Sequence, residues 1–262
     1  NRGVIRWSER LVFIEVRRNN AHCALQQEVS MTQPRKTKPR RAKVATPPAV
    51  LTLSSRNYSS WSLRGWLLCR LAGLEVEEKF VSMDDPDIRS ELLLLASSVL
   101  VPRLEHNGVS VWDVLAIAGY LAEAFPKSGL LPKDPVARAH CRSVSGEMHA
   151  GFHNLRSALP MNLRSKYKNF KIFAGAHPDI ERVQAIWAEC LNAYGGPFLF
   201  GQPTIADAMY APVCTRFRTY NVPMTAKSRK YCQTIFKWEP MAEWIAAAKK
   251  EPEEMEELDM EF

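Results

Sequence analysis

The chain changes its hydrophobic period once, and that change restricts the fold more than any other feature. From 49 to 126, short strand-like and helix-like runs alternate. Beyond KSGLLPKDP (127–135) apolar residues recur only at helical spacing. The first stretch reads strand (51–54), helix to about Ala72, strand VEEKFVSM (76–83), short helix from Pro86 to about Ala96, strand VLVPRLE (99–105), hairpin turn HNG (106–108), strand VSV (109–111) and helix VLAIAGYLAEAF (114–125). The order is βαβαββα. Helices are predicted over 135–159, 179–194, 204–219, 225–237 and 238–250, and the final acidic stretch EPEEMEELDMEF reads as a frayed end or a solvent face. The expected architecture is α/β followed by all-α, divided as 49–126, a linker 127–134 and 135–262.

Punctuation residues support these boundaries. Gly73 follows the last apolar residues of the first helix, a position that tolerates left-handed backbone. Pro86 suits a first helical turn. Asp113 is placed to cap the helix that Pro126 ends. Thr204 and Asp207 form a T-x-x-D capping box, which makes Asp207 structural and not a catalytic acid. Pro102 stands inside an apolar strand, where it has no N–H for a ladder. It suits a strand start or a cis turn, and a cis Val101–Pro102 bond would turn the Val101 backbone outward, free to pair with an extended peptide.

Charge sets residues 1–48 apart. They hold eleven Lys or Arg against Glu9, Glu15 and Glu28, a net of +8 in a chain of net +7. PRKTKPRRAK (34–43) has no interleaved aromatics, so the composition predicts a disordered, solubilising leader and does not favour a nucleic-acid partner. A nucleic-acid-associated protein using that leader is the rival reading, and Met31 is an alternative start. No run approaches the ~20 apolar residues of a membrane span. The six cysteines, at 23, 69, 141, 190, 214 and 232, form no CxxC pair and no Cys/His cluster with zinc spacing, so reduced thiols, a cytoplasmic location and no metal are expected.

Between the first strand and helix lies SRNYSSWSLRGW (55–66), rich in hydroxyls. Such residues cap helices, and they also direct a hydrogen bond at an anion held on a helix N-terminus. SSWSLR (59–64), VWDVLAIAGYLAEAFP (111–126) and GQPTIADAMYAPVCTRFRTY (201–220) together resemble the cytosolic glutathione transferase superfamily, over about 51–250. The first is similar to its serine-type, zeta-like or maleylacetoacetate-isomerase-like bacterial branch. The resemblance implies a thioredoxin-like N-terminal domain, an all-helical C-terminal domain and a homodimer. It implies that glutathione is the co-substrate and attacks a small electrophile.

Residue by residue, the resemblance puts the catalytic hydroxyl at Ser59, with Ser60 second. It puts glutathione on Asn57, Tyr58, Val101, Pro102, Asp113 and Val114. Val101 would pair with the cysteinyl backbone, and Asp113 would face the γ-glutamyl amine. Arg64 matches a basic residue of the first helix. Val114 stands where relatives carry serine, leaving only its backbone N–H, and Leu100 stands where they carry a polar residue. His149, Phe152, His153 and Arg156 are candidates for the second-substrate pocket, with Arg156 suited to a carboxylate; packing also explains Phe152. A thiol of ordinary pKa near 8.5 must ionise to attack. Lowering that pKa by about 2 needs about 2.7 kcal/mol, within reach of a helix N-terminus and one hydroxyl. Alternatives are a glutathione-dependent isomerase of the maleylacetoacetate type and a non-catalytic binding protein of the same fold. A thiol oxidoreductase is disfavoured, because no cysteine lies at 55–60.

Overall fold

The sheet is built around β1 (Ala49–Leu53), whose inward side chains Leu51 and Leu53 are fully buried. The computed structural model describes residues 49–82, 84–92, 101–252 and 255. The leader 1–48, Leu100, the end of the second helix and most of the acidic tail lie outside the described residues. β2 (Val76–Phe80) pairs parallel to β1, β3 (Arg103–His106) pairs antiparallel to its other edge, and β4 (Val109–Trp112) closes the hairpin, giving the order β2-β1-β3-β4. Asn107 and Gly108 both adopt positive φ, as a tight two-residue hairpin turn requires.

Helix α1 (Ser60–Ala72) returns the chain from β1 to β2 and buries Leu63, Trp66, Leu67 and Leu68. Gly73 ends it at φ 70° and donates to Arg70 O. α2 (Pro86–Leu92) follows β2, and α3 (Val114–Ala124) follows β4 with Asp113 as its cap. The Val101–Pro102 bond is cis, and Pro102 sits just before β3, outside the ladder. Gly65 makes room for it: a Cβ there would lie 2.6 Å from the proline ring.

The second half is helical: α4 (Pro135–Ala150), α5 (His153–Ala158), a 3-10 turn (Ala174–Ala176), α6 (His177–Tyr194), α7 (Ile205–Thr219), α8 (Ala226–Lys237) and α9 (Glu239–Ala248). The single helix expected over 135–159 is divided. Gly151 caps α4 so tightly that a Cβ would meet Glu147 O at 2.8 Å, and Phe152 turns to φ 60°, which delivers its ring to the core. Helix α7 is buried along nearly its whole length, with its capping box formed: Asp207 accepts from Thr204 N at 2.9 Å. One hydrophobic core runs through both halves, from Leu51 and Leu67 to Trp187 and Phe217. The described residues all belong to one unit, Ala45–Phe262.

Candidate active site at the start of helix α1

The loop between β1 and α1 uses its hydroxyls one by one. Ser55 Oγ accepts from the backbone N–H groups of Asn57 and Tyr58, both at 3.0 Å, and closes the loop. Ser62 Oγ accepts from Ser54 N at 3.0 Å and ties the helix to the strand it follows. Ser59 is the N-cap, accepting from Ser62 N at 3.2 Å. Ser60 Oγ receives two guanidinium N–H groups, from Arg64 at 3.3 Å and from Arg216 of α7 at 3.2 Å. A hydroxyl that accepts still keeps its proton to donate, so capping and catalysis are compatible at both serines.

Ser59, Ser60, Tyr58, Val101, Pro102 and Val114 are all buried. Asn57, fully buried, is clamped to the helical half: its side-chain oxygen accepts from Leu163 N at 2.7 Å and Arg164 N at 3.1 Å, and its nitrogen donates to Asn162. Tyr58 packs with Ile88 and Val101, and its hydroxyl accepts from Arg164. Asp113 stands apart as the partly exposed member. One carboxylate oxygen caps Leu115 N at 2.8 Å, and the other lies 3.2 Å from His149 Nε2.

Three buried arginines surround the first turn of α1. Arg64 and Arg156 both stack on Trp61 at 4.7 Å. Arg64 donates to Met209 O at 2.9 Å, and Arg216 donates to the carbonyls of Arg156 and Leu159. Arg156 Nε and Arg216 Nε are buried and have no hydrogen-bond partner among the described residues. Burial, then the positive charge of Arg156, pulls the Arg216 guanidinium down to about 9, and burial with both neighbours lowers Arg64. The electrostatic sense is clear: an anion placed here is stabilised and a cation is not.

His149 meets the edge of Trp61 at 5.3 Å. Burial lowers its pKa and outweighs the upward pull of Asp113; Arg64 and Arg156 lower it further. His149 and Arg156 therefore both contact Trp61. Phe152 faces the core instead, and His153 is exposed at the start of α5, because the break at Gly151 removes the i,i+4 relation to His149. A recess of about 490 Å³ between α3 and the linker is lined by none of these four residues.

Sequence reasoning assigned no role here to Trp61, Arg164, Arg216 or Glu251. The signal for Trp61 was its place beside Ser60. Arg216 and Glu251 lie over 150 residues away in sequence, and nothing local marks them. Glu251 opens the acidic stretch expected as a frayed end or a solvent face; its carboxylate instead accepts from Ser55 Oγ and from Arg56 and Asn57 N, each at 2.7 Å. Among the described residues no group of three His, Cys, Asp or Glu is placed to hold a metal ion, and no helix is long and apolar enough to cross a membrane. The five cysteines among the described residues are free and buried, and burial pushes the Cys69 thiol up to about 12.

A four-stranded mixed sheet with a cis proline packed against the first helix, joined to a helical half, defines the class: a thioredoxin-like domain with an all-helical partner. Residues 58–124 match the glutathione S-transferase N-terminal domain and 173–247 the glutathione S-transferase C-terminal domain, together more than half of the chain. The chain belongs to the glutathione S-transferase family. A probable maleylacetoacetate isomerase of Caenorhabditis elegans is 28% identical over 173 residues, covering 65% of this chain and 79% of that one. Glutathione S-transferase 1 of Dianthus caryophyllus is 27% identical over 165 residues, covering 62% and 75%. The fold is shared with a glutathione transferase homologue from Burkholderia GL BGR1 with bound glutathione (TM-score 0.57, 19% identity, 78% and 98% covered). It is also shared with a maleylacetoacetate isomerase from Anaeromyxobacter dehalogenans 2CP-1 (TM-score 0.56, 23% identity, 78% and 93% covered).

Proposed function

We propose that the protein binds glutathione against the cis Val101–Pro102 edge and directs its thiolate at a small electrophile. The observation that carries this is the convergence of three features: the cis peptide edge, the hydroxyl-capped start of α1 and the Asp113-capped start of α3. Val101 pairs with the cysteinyl backbone and Asp113 receives the γ-glutamyl amine. Ser59 donates to the sulfur, helped by the positive end of α1 and by the arginines behind Ser60. The thiolate then forms at neutral pH without a general base.

The isomerase reading is favoured by one feature. Arg156 lies on Trp61 with a buried, unpartnered Nε, which suits a substrate carboxylate. In that reaction the thiolate adds to a cis double bond, the bond rotates, and the thiolate leaves, so glutathione is returned unchanged.

We further propose a cytoplasmic two-fold homodimer with a dispensable leader at 1–48, a glutathione-binding domain at 49–126 and a helical domain at 135–262. Sedimentation showing only a monomer-sized species at micromolar concentration refutes the dimer.

The functional test is calorimetric titration with glutathione, followed by turnover of an aryl chloride and of a maleyl ketone. Conjugation of the aryl chloride supports the transferase. Isomerisation without consumption of glutathione supports the isomerase. Binding without either identifies a non-catalytic member, and absence of binding overturns the reading.

A further inference from the structure

Glu251 lies just beyond α9, yet its carboxylate is held by the loop that opens α1. It accepts from Ser55 Oγ and Asn57 N on one oxygen and from Arg56 N on the other, all at 2.7 Å. These are short, charge-assisted bonds from a concave run of backbone N–H groups, the geometry of an anion nest. The surroundings fix the residue. Arg164 donates to Glu251 O at 2.8 Å, and Trp244 Nε1 donates to Arg56 O at 3.0 Å.

A second contact, four residues further along, points to the same place. Met255 is 1% exposed and packs against Tyr58, Ile88 and Val101. Its backbone N–H donates to the Tyr58 hydroxyl at 3.1 Å. Val101 is the residue whose backbone edge is assigned to the cysteinyl unit of glutathione, and Tyr58 immediately precedes the capping Ser59. Met255 thus rests against Val101 and Tyr58 of the assigned tripeptide site, and Glu251 occupies the backbone N–H of Asn57, assigned to the same site. The nest borders a recess of about 450 Å³ lined by Ser54, Phe80, Val81 and Ala247, so a ligand carboxylate reaches it once Glu251 leaves.

We infer that the Ser55–Asn57 turn is a carboxylate-binding site, that Glu251 is its internal occupant, and that the Glu251 and Met255 contacts compete with glutathione for the site. This rests on the glutathione reading above. Glutathione has two carboxylates and an ionisable thiol, so it offers an anion to exchange for that of Glu251. A chain whose binding-competent form is a minor fraction shows an affinity weakened by that fraction. Withdrawing Glu251 costs the intramolecular bonds, and the ligand must replace them. A purely structural role for Glu251, stapling the end of α9 to the body, predicts the opposite: its loss loosens the site and weakens glutathione.

The test uses the full chain and the variants Glu251→Ala and Glu251→Gln, the second keeping the shape of the side chain in case the first does not fold. Reduced glutathione is titrated by calorimetry, and acetate is added in thermal melts as a probe that needs no glutathione. Competition predicts that both variants bind glutathione about tenfold tighter or more. A carboxylate nest predicts that acetate raises the melting midpoint of Glu251→Ala and leaves the parent unchanged. Equal or weaker glutathione binding by the variants overturns the competition while leaving the glutathione reading intact. No effect of acetate on either protein overturns the nest. If glutathione binds neither parent nor variants, the glutathione reading fails and the competition falls with it; an acetate effect in that case still upholds the nest.

Discussion

Arg216 of α7 reaches across the molecule to Ser60 in the first turn of α1, with its Nη2 3.2 Å from the hydroxyl oxygen. Arg64 donates to the same oxygen, so a buried hydroxyl holds two cations whose pKa burial and neighbouring arginine charge have lowered. Ser60 and Ser59 are neighbours with different partners, and their substitution therefore separates two effects.

Ser59→Ala is expected to raise the pKa of bound glutathione and to cut turnover at mildly acidic pH by about 10–100 fold, the scale of one or two pKa units. Loss of the cap at Ser62 N costs about 1 kcal/mol of stability as well. The turnover deficit shrinks as pH approaches the free thiol pKa. Ser60→Ala is expected to show a smaller turnover loss, because the arginine charges remain. Ultraviolet titration of the bound thiolate on parent and both variants checks this; a larger effect at Ser60 reassigns the donor.

Gly65→Ala tests the approach of α1 to the cis proline. The new Cβ falls 2.6 Å from Pro102 Cβ and Cγ, and both belong to rigid elements. Overpacking of this kind costs about 1–3 kcal/mol, or about 2–4 °C of melting midpoint for each kcal/mol. Glutathione affinity should fall too, since the displaced proline carries the Val101 edge with it. A thermal melt within a degree of the parent refutes the close contact.

Asn57→Ala removes the acceptor of the buried Leu163 N–H, while Arg164 N keeps Asn162 Oδ1 as a second acceptor. An orphaned buried donor costs about 1–3 kcal/mol. The expected result is a strongly destabilised chain, read by urea denaturation. If Asn57→Ala instead keeps its stability and loses only glutathione binding, the residue is a ligand contact before it is a clamp.

Asp207 sets a pH dependence of known sign. Burial lifts its carboxyl from 3.8 to about 6, against the opposing hydrogen bonds from Leu199 N, Thr204 N and Tyr231. The folded chain therefore holds this proton more tightly than the unfolded chain. The stability that proton contributes is fully present below about pH 4 and is lost as pH rises through about 6, by on the order of 3 kcal/mol. Asp207→Asn is less stable overall, having one acceptor oxygen fewer. Its difference from the parent narrows as pH rises from 4 to 7. Denaturation midpoints across that range give the comparison, and a constant difference refutes the raised pKa.

Local rules decided most of the secondary structure. Gly73, Asp113, the Thr204–Asp207 box, the HNG turn and Pro102 each act within a few residues, through φ preference, capping or a missing N–H, so their consequences could be read directly. They correctly ordered β1 to α3 and placed the later helices. The split of α4 from α5 was not legible, because Phe152 adopts positive φ only to reach a core pocket built by distant elements. The hydroxyls of 55–62 were visible as a set, but their partners were not. Which serine caps, which meets arginine and which receives a carboxylate depends on α7 and the segment after α9, folded back from over 150 residues away. Sequence fixes what a residue can donate or accept; burial decides whether it must be paired, and only tertiary contact supplies the partner.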